Sequence, residues 1–172
     1  APFQPSEFQH VDALHYCGYE YLNPFMQTLP ANPRVLDIGA GIGGPARHVA
    51  QTFGAEVVAI DPLERYTQLQ QRIDQLCGLE EQITVVQADA ATDDLARLPR
   101  AAEGFDAIYA ILSFLHIADK DALLANCRKV LKPGGRLYIE DWAIQDTTPF
   151  TPEEAEAEQR VGMTSRLTQA EY

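Results

Sequence analysis

Apolar and polar positions follow two different rhythms from residue 34 onwards. Short apolar runs, typical of buried strands, lie at 34–38, 56–60, 83–87, 105–112 and 136–141. Longer stretches with helical spacing separate them, at 45–53, at 63–76 and after Asp119, which we expect to cap its helix. Strands that alternate with helices predict an α/β fold, a doubly wound and mainly parallel sheet with helices on both faces.

Two details of this pattern give sharper predictions. The helix over 63–76 should pack against the sheet through an apolar face made of Leu63, Tyr66, Leu69, Ile73 and Leu76. The sequence 132–135, Lys-Pro-Gly-Gly, should end the last of these helices, so that the fifth strand starts at Arg136.

The two ends of the chain differ from its centre, and we predict three parts. These are an N-terminal helical segment (1–33), a core (34–145) and the start of a helical insertion on the substrate side (146–172). Asn23-Pro24 predicts a short helix in the first part, and the capping box at 151–154 starts a helix in the third. A second capping box at 168–171 announces another helix where the chain stops, so we expect the natural protein to continue past Tyr172.

Composition and charge narrow the possible partners. The formal net charge of −12 disfavours nucleic acids and anionic membranes, because binders of polyanions need a basic face. No apolar run approaches the roughly 20 residues of a membrane helix, and the first ten residues lack the features of a signal peptide. We therefore expect a cytoplasmic protein without a membrane partner. The three cysteines and four histidines show no metal-ligand spacing, so no metal site is predicted.

A glycine loop follows the first predicted strand. Residues 35–44 read VLDIGAGIGG, which places glycines between a strand and a helix, where doubly wound folds of the Rossmann type bind their ligands. Gly39, Gly41 and Gly44 fit the Gly-x-Gly-x-x-Gly pattern of dinucleotide sites, and Asp61 lies where an acid that binds ribose is expected. By these features alone, a nicotinamide-dependent oxidoreductase fits.

Asp37 favours a different ligand. It precedes Gly39 by two residues, where an unpaired carboxylate would repel the pyrophosphate of a dinucleotide. S-adenosylmethionine (SAM) carries no phosphate, and its ammonium and sulfonium groups are both cationic, so a carboxylate attracts them. The alternative is that Asp37 only caps backbone groups.

Two further acids agree with SAM. Asp61 follows the second strand and could accept hydrogen bonds from both ribose hydroxyls, or only cap the helix after Pro62. Asp89 and Ala90 follow the third strand, where the carboxylate could accept from the adenine amino group and the Ala90 N–H could donate to a ring nitrogen. The alternative for Asp89 is a loop cap.

With these residues in place, the chain resembles the class I SAM-dependent methyltransferases. The resemblance rests on VLDIGAGIGG (35–44), VVAID (57–61), VVQADA (85–90), FDAIYAILSFLHI (105–117) and LKPGGRLYIED (131–141), in this order. It implies a seven-stranded sheet, of which five strands are visible here, so the last two are expected beyond the chain. The style of the last two stretches is similar to that of small-molecule enzymes such as phosphoethanolamine, sarcosine/dimethylglycine and sterol methyltransferases.

The resemblance also implies residues for the acceptor side. In the phosphobase enzymes, a histidine after the fourth strand works with a tyrosine from the N-terminal helices, which form a lid; His116 matches the first and Tyr19 is our candidate for the second. Those enzymes carry an Asp four residues before the histidine, where this chain has Leu112. The difference favours a less polar acceptor. The alternative for His116 is that it only holds its loop, and the alternative for Tyr19 is ordinary packing with a solvent-facing hydroxyl.

The sequence thus predicts transfer of a methyl group from SAM to a small-molecule acceptor, with S-adenosylhomocysteine (SAH) as the product. A nicotinamide-dependent oxidoreductase and a catalytically silent SAM-binding module remain the alternatives. The predicted catalytic residues are His116 and Tyr19. The predicted cofactor-binding residues are Asp37, Gly39, Ala40, Gly41, Asp61, Pro62, Asp89, Ala90 and Leu112.

Overall fold

A five-stranded sheet organises the protein. The computed structural model describes residues 2–12, 18–143, 149–164 and 168 of the 172-residue chain. The strands are β1 (Arg34–Ile38), β2 (Glu56–Asp61), β3 (Ile83–Gln87), β4 (Phe105–Ile111) and β5 (Leu131–Glu140). They lie in the order β3-β2-β1-β4-β5, and every neighbouring pair is parallel. The predicted α/β, doubly wound sheet is therefore confirmed.

Helices cover both faces of this sheet. They are α1 (Gln9–Asp12), α2 (Leu22–Met26), α3 (Gly44–Phe53), α4 (Glu64–Cys77), α5 (Lys120–Val130) and α6 (Pro152–Val161). One core cluster joins α2, α3 and α4 to the face that contains Val35 and Val57. A second cluster joins α5 to the opposite face, which contains Leu36 and Val58. Because successive strand residues point to opposite faces and both faces are covered, the central strands are mainly apolar.

Capping residues set two of the helix starts as the sequence predicts. The Asp119 side chain accepts a hydrogen bond of 2.8 Å from the Ala122 N–H at the start of α5. Thr151 and Glu154 form both hydrogen bonds of a capping box at the start of α6. The second predicted capping box, at 168–171, falls largely on 169–171, outside the described residues. Across the described part of the chain, none of the helices is long and apolar enough to span a bilayer.

The prediction for the buried face of α4 is wrong. Leu63, Leu69 and Leu76 are 43–49% exposed. Of the predicted face only Ile73 is buried, and the other buried positions of α4 are Thr67, Gln70, Asp74 and Cys77. The reason is a buried charge on the neighbouring helix: Arg47 of α3 pairs with Asp74, and this ion pair turns a polar side of α4 inward.

The predicted start of the last strand is also wrong. Strand β5 begins at Leu131, directly after α5. Its register with β4 shifts between the pairs Phe105–Leu131 and Ala107–Arg136, so that 132–135 form an irregularity inside the strand and not a loop before it. Gly134, with φ of +79°, supplies the left-handed backbone that this irregularity needs.

Candidate functional site

A cavity of about 860 Å³ lies at the carboxyl ends of the strands. Parallel strands bring their carboxyl ends to one edge of the sheet, which is where doubly wound folds bind ligands. The cavity lining includes the predicted residues Asp37, Gly39, Ala40, Gly41, Asp61, Pro62, Asp89, Ala90, Leu112 and His116. Tyr19 is not part of this lining.

The glycines of the loop after β1 face different neighbours. A Cβ atom on Gly39 would overlap the Ser113 side chain, and one on Gly43 would lie 2.5 Å from Gln70 Nε2. A Cβ on Gly44 would overlap the Tyr19 hydroxyl. On Gly41 a Cβ would meet nothing within 4 Å among the described residues. Only the middle of the loop is therefore open to a ligand, and the other glycines allow the protein to pack closely.

Asp61 joins the glycine loop to the start of α4. Its Oδ2 accepts a hydrogen bond of 3.0 Å from the Gly41 N–H, and its Oδ1 accepts one of 2.9 Å from the Leu63 N–H. The side chain thus holds the turn before α4, although α4 itself has no side-chain cap. Each carboxylate oxygen retains a second lone pair, so the same group can accept from a ligand in the cavity.

Asp37 is a buried acid in the cavity wall. It is 2% exposed, lies beside Tyr109 of β4 in the sheet, and its Oδ2 has no hydrogen-bond partner among the described residues. Burial raises the pKa of Asp37 to about 8; the neighbouring charge of Asp61 adds to the rise, and the Tyr109 hydroxyl opposes it. A buried, unpartnered carboxyl costs stability, so its presence at a cavity points to a cationic or hydrogen-bonding ligand.

The loop after β3 presents a second acid. Asp89 Oδ1 accepts hydrogen bonds from the Ala91 N–H (2.8 Å) and the Thr92 N–H (3.3 Å), which is the loop cap that the sequence offered as the alternative. Within the described part of the chain, Asp89 Oδ2 and the Ala90 N–H make no hydrogen bond. An acceptor and a donor therefore stand side by side at this end of the cavity.

Leu112 holds an unusual backbone conformation. Its φ is +50°, in the left-handed region, and its N–H donates a hydrogen bond of 2.7 Å to the Glu140 carbonyl. This conformation costs roughly 1–2 kcal/mol for a residue with a Cβ, and Asn or Asp bears it better than Leu. The adjacent Ser113 hydroxyl donates to the Ile38 carbonyl at 2.7 Å and joins the ends of β1 and β4.

His116 lies at the exposed rim of the cavity. Its Nδ1 is 3.0 Å from the carbonyl oxygen of Gly162, the residue that follows α6. Because a carbonyl only accepts, Nδ1 carries a proton, and in the neutral ring Nε2 is then the acceptor. The turn that holds His116 is fixed by Asp141, whose carboxylate accepts from the Leu115 N–H at 2.7 Å. Thr164 also reaches this turn, with two hydrogen bonds to the Leu115 carbonyl.

Tyr19 lies behind the cavity wall. It is 5% exposed, and its hydroxyl donates a hydrogen bond to Asp12. Asp12 itself lines the cavity and pairs with the buried Arg47. Asp12 was not predicted from the sequence, and neither was Arg160 of α6, which also lines the cavity. The position of Arg47 on the apolar stripe of α3 is the one signal that could have suggested a buried ion pair here.

The chain is similar in sequence to known methyltransferases. The family described as "Methyltransferase domain" matches residues 35–135. The chain is 35% identical over 139 residues to the methyltransferase GfsG of Streptomyces halstedii, covering 80% of this chain and 48% of that protein. It is 35% identical over 136 residues to phosphoethanolamine N-methyltransferase 1 of Triticum aestivum, covering 77% of this chain and 26% of that protein. The chain therefore spans half or less of the length of these relatives.

A solved structure shares the fold. The crystal structure of a putative sarcosine dimethylglycine methyltransferase from Galdieria sulphuraria superposes with a TM-score of 0.73 at 22% identity. The match covers 90% of this chain and 56% of that one.

We expect Asp37→Asn to stabilise the ligand-free protein. The folded-state pKa lies above the unfolded value, so the wild-type acid loses stability as pH rises from about 3.8 towards 8, by up to about 1.4 kcal/mol per pH unit. The difference in unfolding free energy between variant and wild type should grow over this window, as measured by urea denaturation. Asp106→Asn is the matched control, because Lys132 holds the pKa of Asp106 below its usual range and its loss should destabilise. A difference for Asp37→Asn that does not change with pH would contradict the assignment.

Alanine at two of the loop glycines should separate packing from strain. Both glycines have positive φ, but only a Cβ on Gly39 overlaps a neighbour. Gly41→Ala should therefore cost only the conformational strain of roughly 1 kcal/mol, and Gly39→Ala should cost clearly more. Thermal and urea denaturation of the two variants measure this, and equal losses would show that Ser113 yields to the added methyl group.

Proposed function

The chain belongs to the class I SAM-dependent methyltransferases, and from this membership we propose that it transfers a methyl group from SAM to a small-molecule acceptor. The observation that carries the proposal is Asp37, a buried carboxyl group in the cavity wall with one unpartnered oxygen. A cationic ligand supplies what this group lacks, and SAM carries two cationic centres.

The other lining residues fit the remaining parts of SAM. Asp61 offers acceptor lone pairs for ribose hydroxyls while it holds Gly41, and the open face of Gly41 leaves room for the ligand. Asp89 Oδ2 and the Ala90 N–H offer the acceptor and donor that an adenine edge requires. Gly39, Ala40, Pro62 and Leu112 complete the proposed set through their places in the same wall.

A nicotinamide dinucleotide fits this wall poorly. Its pyrophosphate would approach the glycine loop, where Asp37 and Asp61 both lie. Placing a pyrophosphate beside the Asp61 carboxylate and the buried Asp37 would cost free energy, because the described loop residues 39–44 include no basic side chain. Arg47 is the nearest candidate by sequence, and it is already paired with two carboxylates.

His116 is the proposed general base. SAM supplies a methyl group on a positively charged sulfur; the acceptor atom bonds to that carbon as the carbon–sulfur bond breaks, and SAH leaves. The acceptor nitrogen, oxygen or carbon gives up a proton, and His116 Nε2 can take it because the bond from Nδ1 to Gly162 fixes the tautomer.

An acceptor of low polarity is the proposed substrate class. Around Leu112, the cavity is lined by Ile111, Ile117 and Val161. Leu112 adopts a left-handed backbone conformation that would cost Asp less free energy than Leu. The leucine therefore contributes its apolar surface to the cavity and gives no conformational advantage.

Other features of the proposal rest on sequence. Three features stay predictions: the division of the chain into parts that end at residues 33 and 145, the cytoplasmic location, and the absence of a nucleic-acid partner. A catalytically silent SAM-binding module remains the second candidate, because the chain spans half or less of its relatives.

Titration calorimetry tests the proposed cofactor. We expect binding of SAM and SAH and no binding of NADH. Asp61→Ala should weaken SAH binding by about 2–3 kcal/mol, because ribose and Gly41 both lose a charged acceptor. Glu64→Ala, a change on the exposed start of α4, is the control. Binding of NADH with no binding of SAM or SAH would reverse the proposal in favour of an oxidoreductase.

Two substitutions separate the roles of His116. His116→Asn keeps a donor where Nδ1 stands but no base, whereas His116→Ala loses both. As a general base, both variants should lower turnover by roughly 10²–10⁴-fold with SAH affinity unchanged. The assay follows transfer of labelled methyl groups from SAM to a panel of apolar and amine acceptors. If His116→Asn keeps wild-type turnover with the best acceptor, the histidine only anchors the turn after α6.

A further inference from the structure

A fully buried arginine follows the glycine loop. Arg47 lies in the first turns of α3 and is 0% exposed, among the apolar residues Ala46, Val49 and Ala50. A charge in such surroundings is stable only if opposite charges and hydrogen bonds compensate for the lost water. The residues that pair with Arg47 therefore identify the segments of the protein that this arginine holds in place.

Two carboxylates, one from α1 and one from α4, compensate the positive charge of Arg47. Its Nη2 lies 2.5 Å from Asp12 Oδ2, on α1 of the N-terminal segment. Its Nη1 lies 2.7 Å from Asp74 Oδ1, on α4 of the core. Both acids are buried, with side chains 1–2% exposed. The guanidinium of α3, the helix after the glycine loop, thus joins the N-terminal segment to α4.

The glycine loop accommodates the same contact. A Cβ on Gly44 would overlap the Tyr19 hydroxyl and lie 2.9 Å from Asp12 Cγ. Tyr19 donates its hydroxyl proton to Asp12, so both residues of the N-terminal segment press against the loop. Asp12 is in addition part of the cavity wall, whereas Asp74 and Arg47 are not.

We propose that Asp12, held by Arg47 and Tyr19, is a positioning residue that fixes the N-terminal segment as one wall of the cofactor cavity. The inference rests on the proposed function, since it takes SAM or SAH as the occupant. It assigns Tyr19 to positioning and not to catalysis. Cofactor affinity then depends on Arg47, a residue outside the cavity lining, through the acid on its cavity side.

Asp74 provides a matched control. It pairs with the same guanidinium at a similar distance and burial, but it lies away from the cavity. Asp12→Asn and Asp74→Asn each remove one negative charge from the cluster, and both should lower the melting temperature. Only the first should disturb the cavity wall.

The test is titration of SAH into the full chain, at a temperature where circular dichroism shows each variant fully folded. We expect Asp12→Asn to weaken SAH binding tenfold or more and Asp74→Asn to change it less than threefold. Adding Arg47→Met to Asp12→Asn should weaken binding no further, because the two residues act as one unit. Equal affinity of wild type, Asp12→Asn and Asp74→Asn would overturn the proposal.

A milder change guards against a variant that does not fold. Tyr19→Phe removes only the hydroxyl that contacts Asp12, and should weaken SAH binding severalfold. A catalytic role for this hydroxyl would instead lower turnover and leave SAH affinity at the wild-type value, which would also overturn the proposal. Wild-type protein that binds neither SAM nor SAH would contradict the proposed function itself. Binding to the wild type is therefore measured before the variants.

Discussion

All five strands end at one edge of the sheet, and this constraint decides where the protein needs polar side chains. Backbone groups at strand ends lose their ladder partners and must be bonded by other means. Asp61 accepts from the Gly41 N–H, and the Ser113 hydroxyl donates to the Ile38 carbonyl. The same groups that complete the ends of the strands therefore build the wall of the cavity, so fold and site share their residues.

Two buried ionisable groups near this edge differ in whether the protein supplies their partners. Arg47 has two carboxylate partners, and its charge is compensated within the protein. Asp37 has an oxygen without a partner among the described residues, and burial raises its pKa to about 8. The first arrangement serves the folded state. The second costs stability in the absence of a ligand, and such a cost is typical of residues retained for binding.

Features that lie close together along the chain were predictable from the sequence. The strands, the glycine loop and the acids after β1, β2 and β3 follow from local apolar runs and turn residues. The buried side of α4 was not, because apolar spacing cannot show that Asp74 finds a charged partner on α3. The same holds for Asp12, which meets Arg47 across 35 positions of sequence. The irregularity at 132–135 was hidden because Pro and Gly residues are equally typical of a loop and of a bulge.

The glycine loop carries a wider consequence for the recognition of such sites from sequence. Gly39 and Gly44, two of the three residues that match the dinucleotide pattern, lie against Ser113 and Tyr19. Among the described residues nothing approaches the third, Gly41, on the side where a Cβ would lie. Most of the pattern is thus a signature of how tightly a strand, a loop and two neighbouring segments are packed. Attempts to redesign ligand preference by exchanging these glycines would damage the scaffold first. The acids that flank the loop are the positions at which a change of ligand could be encoded.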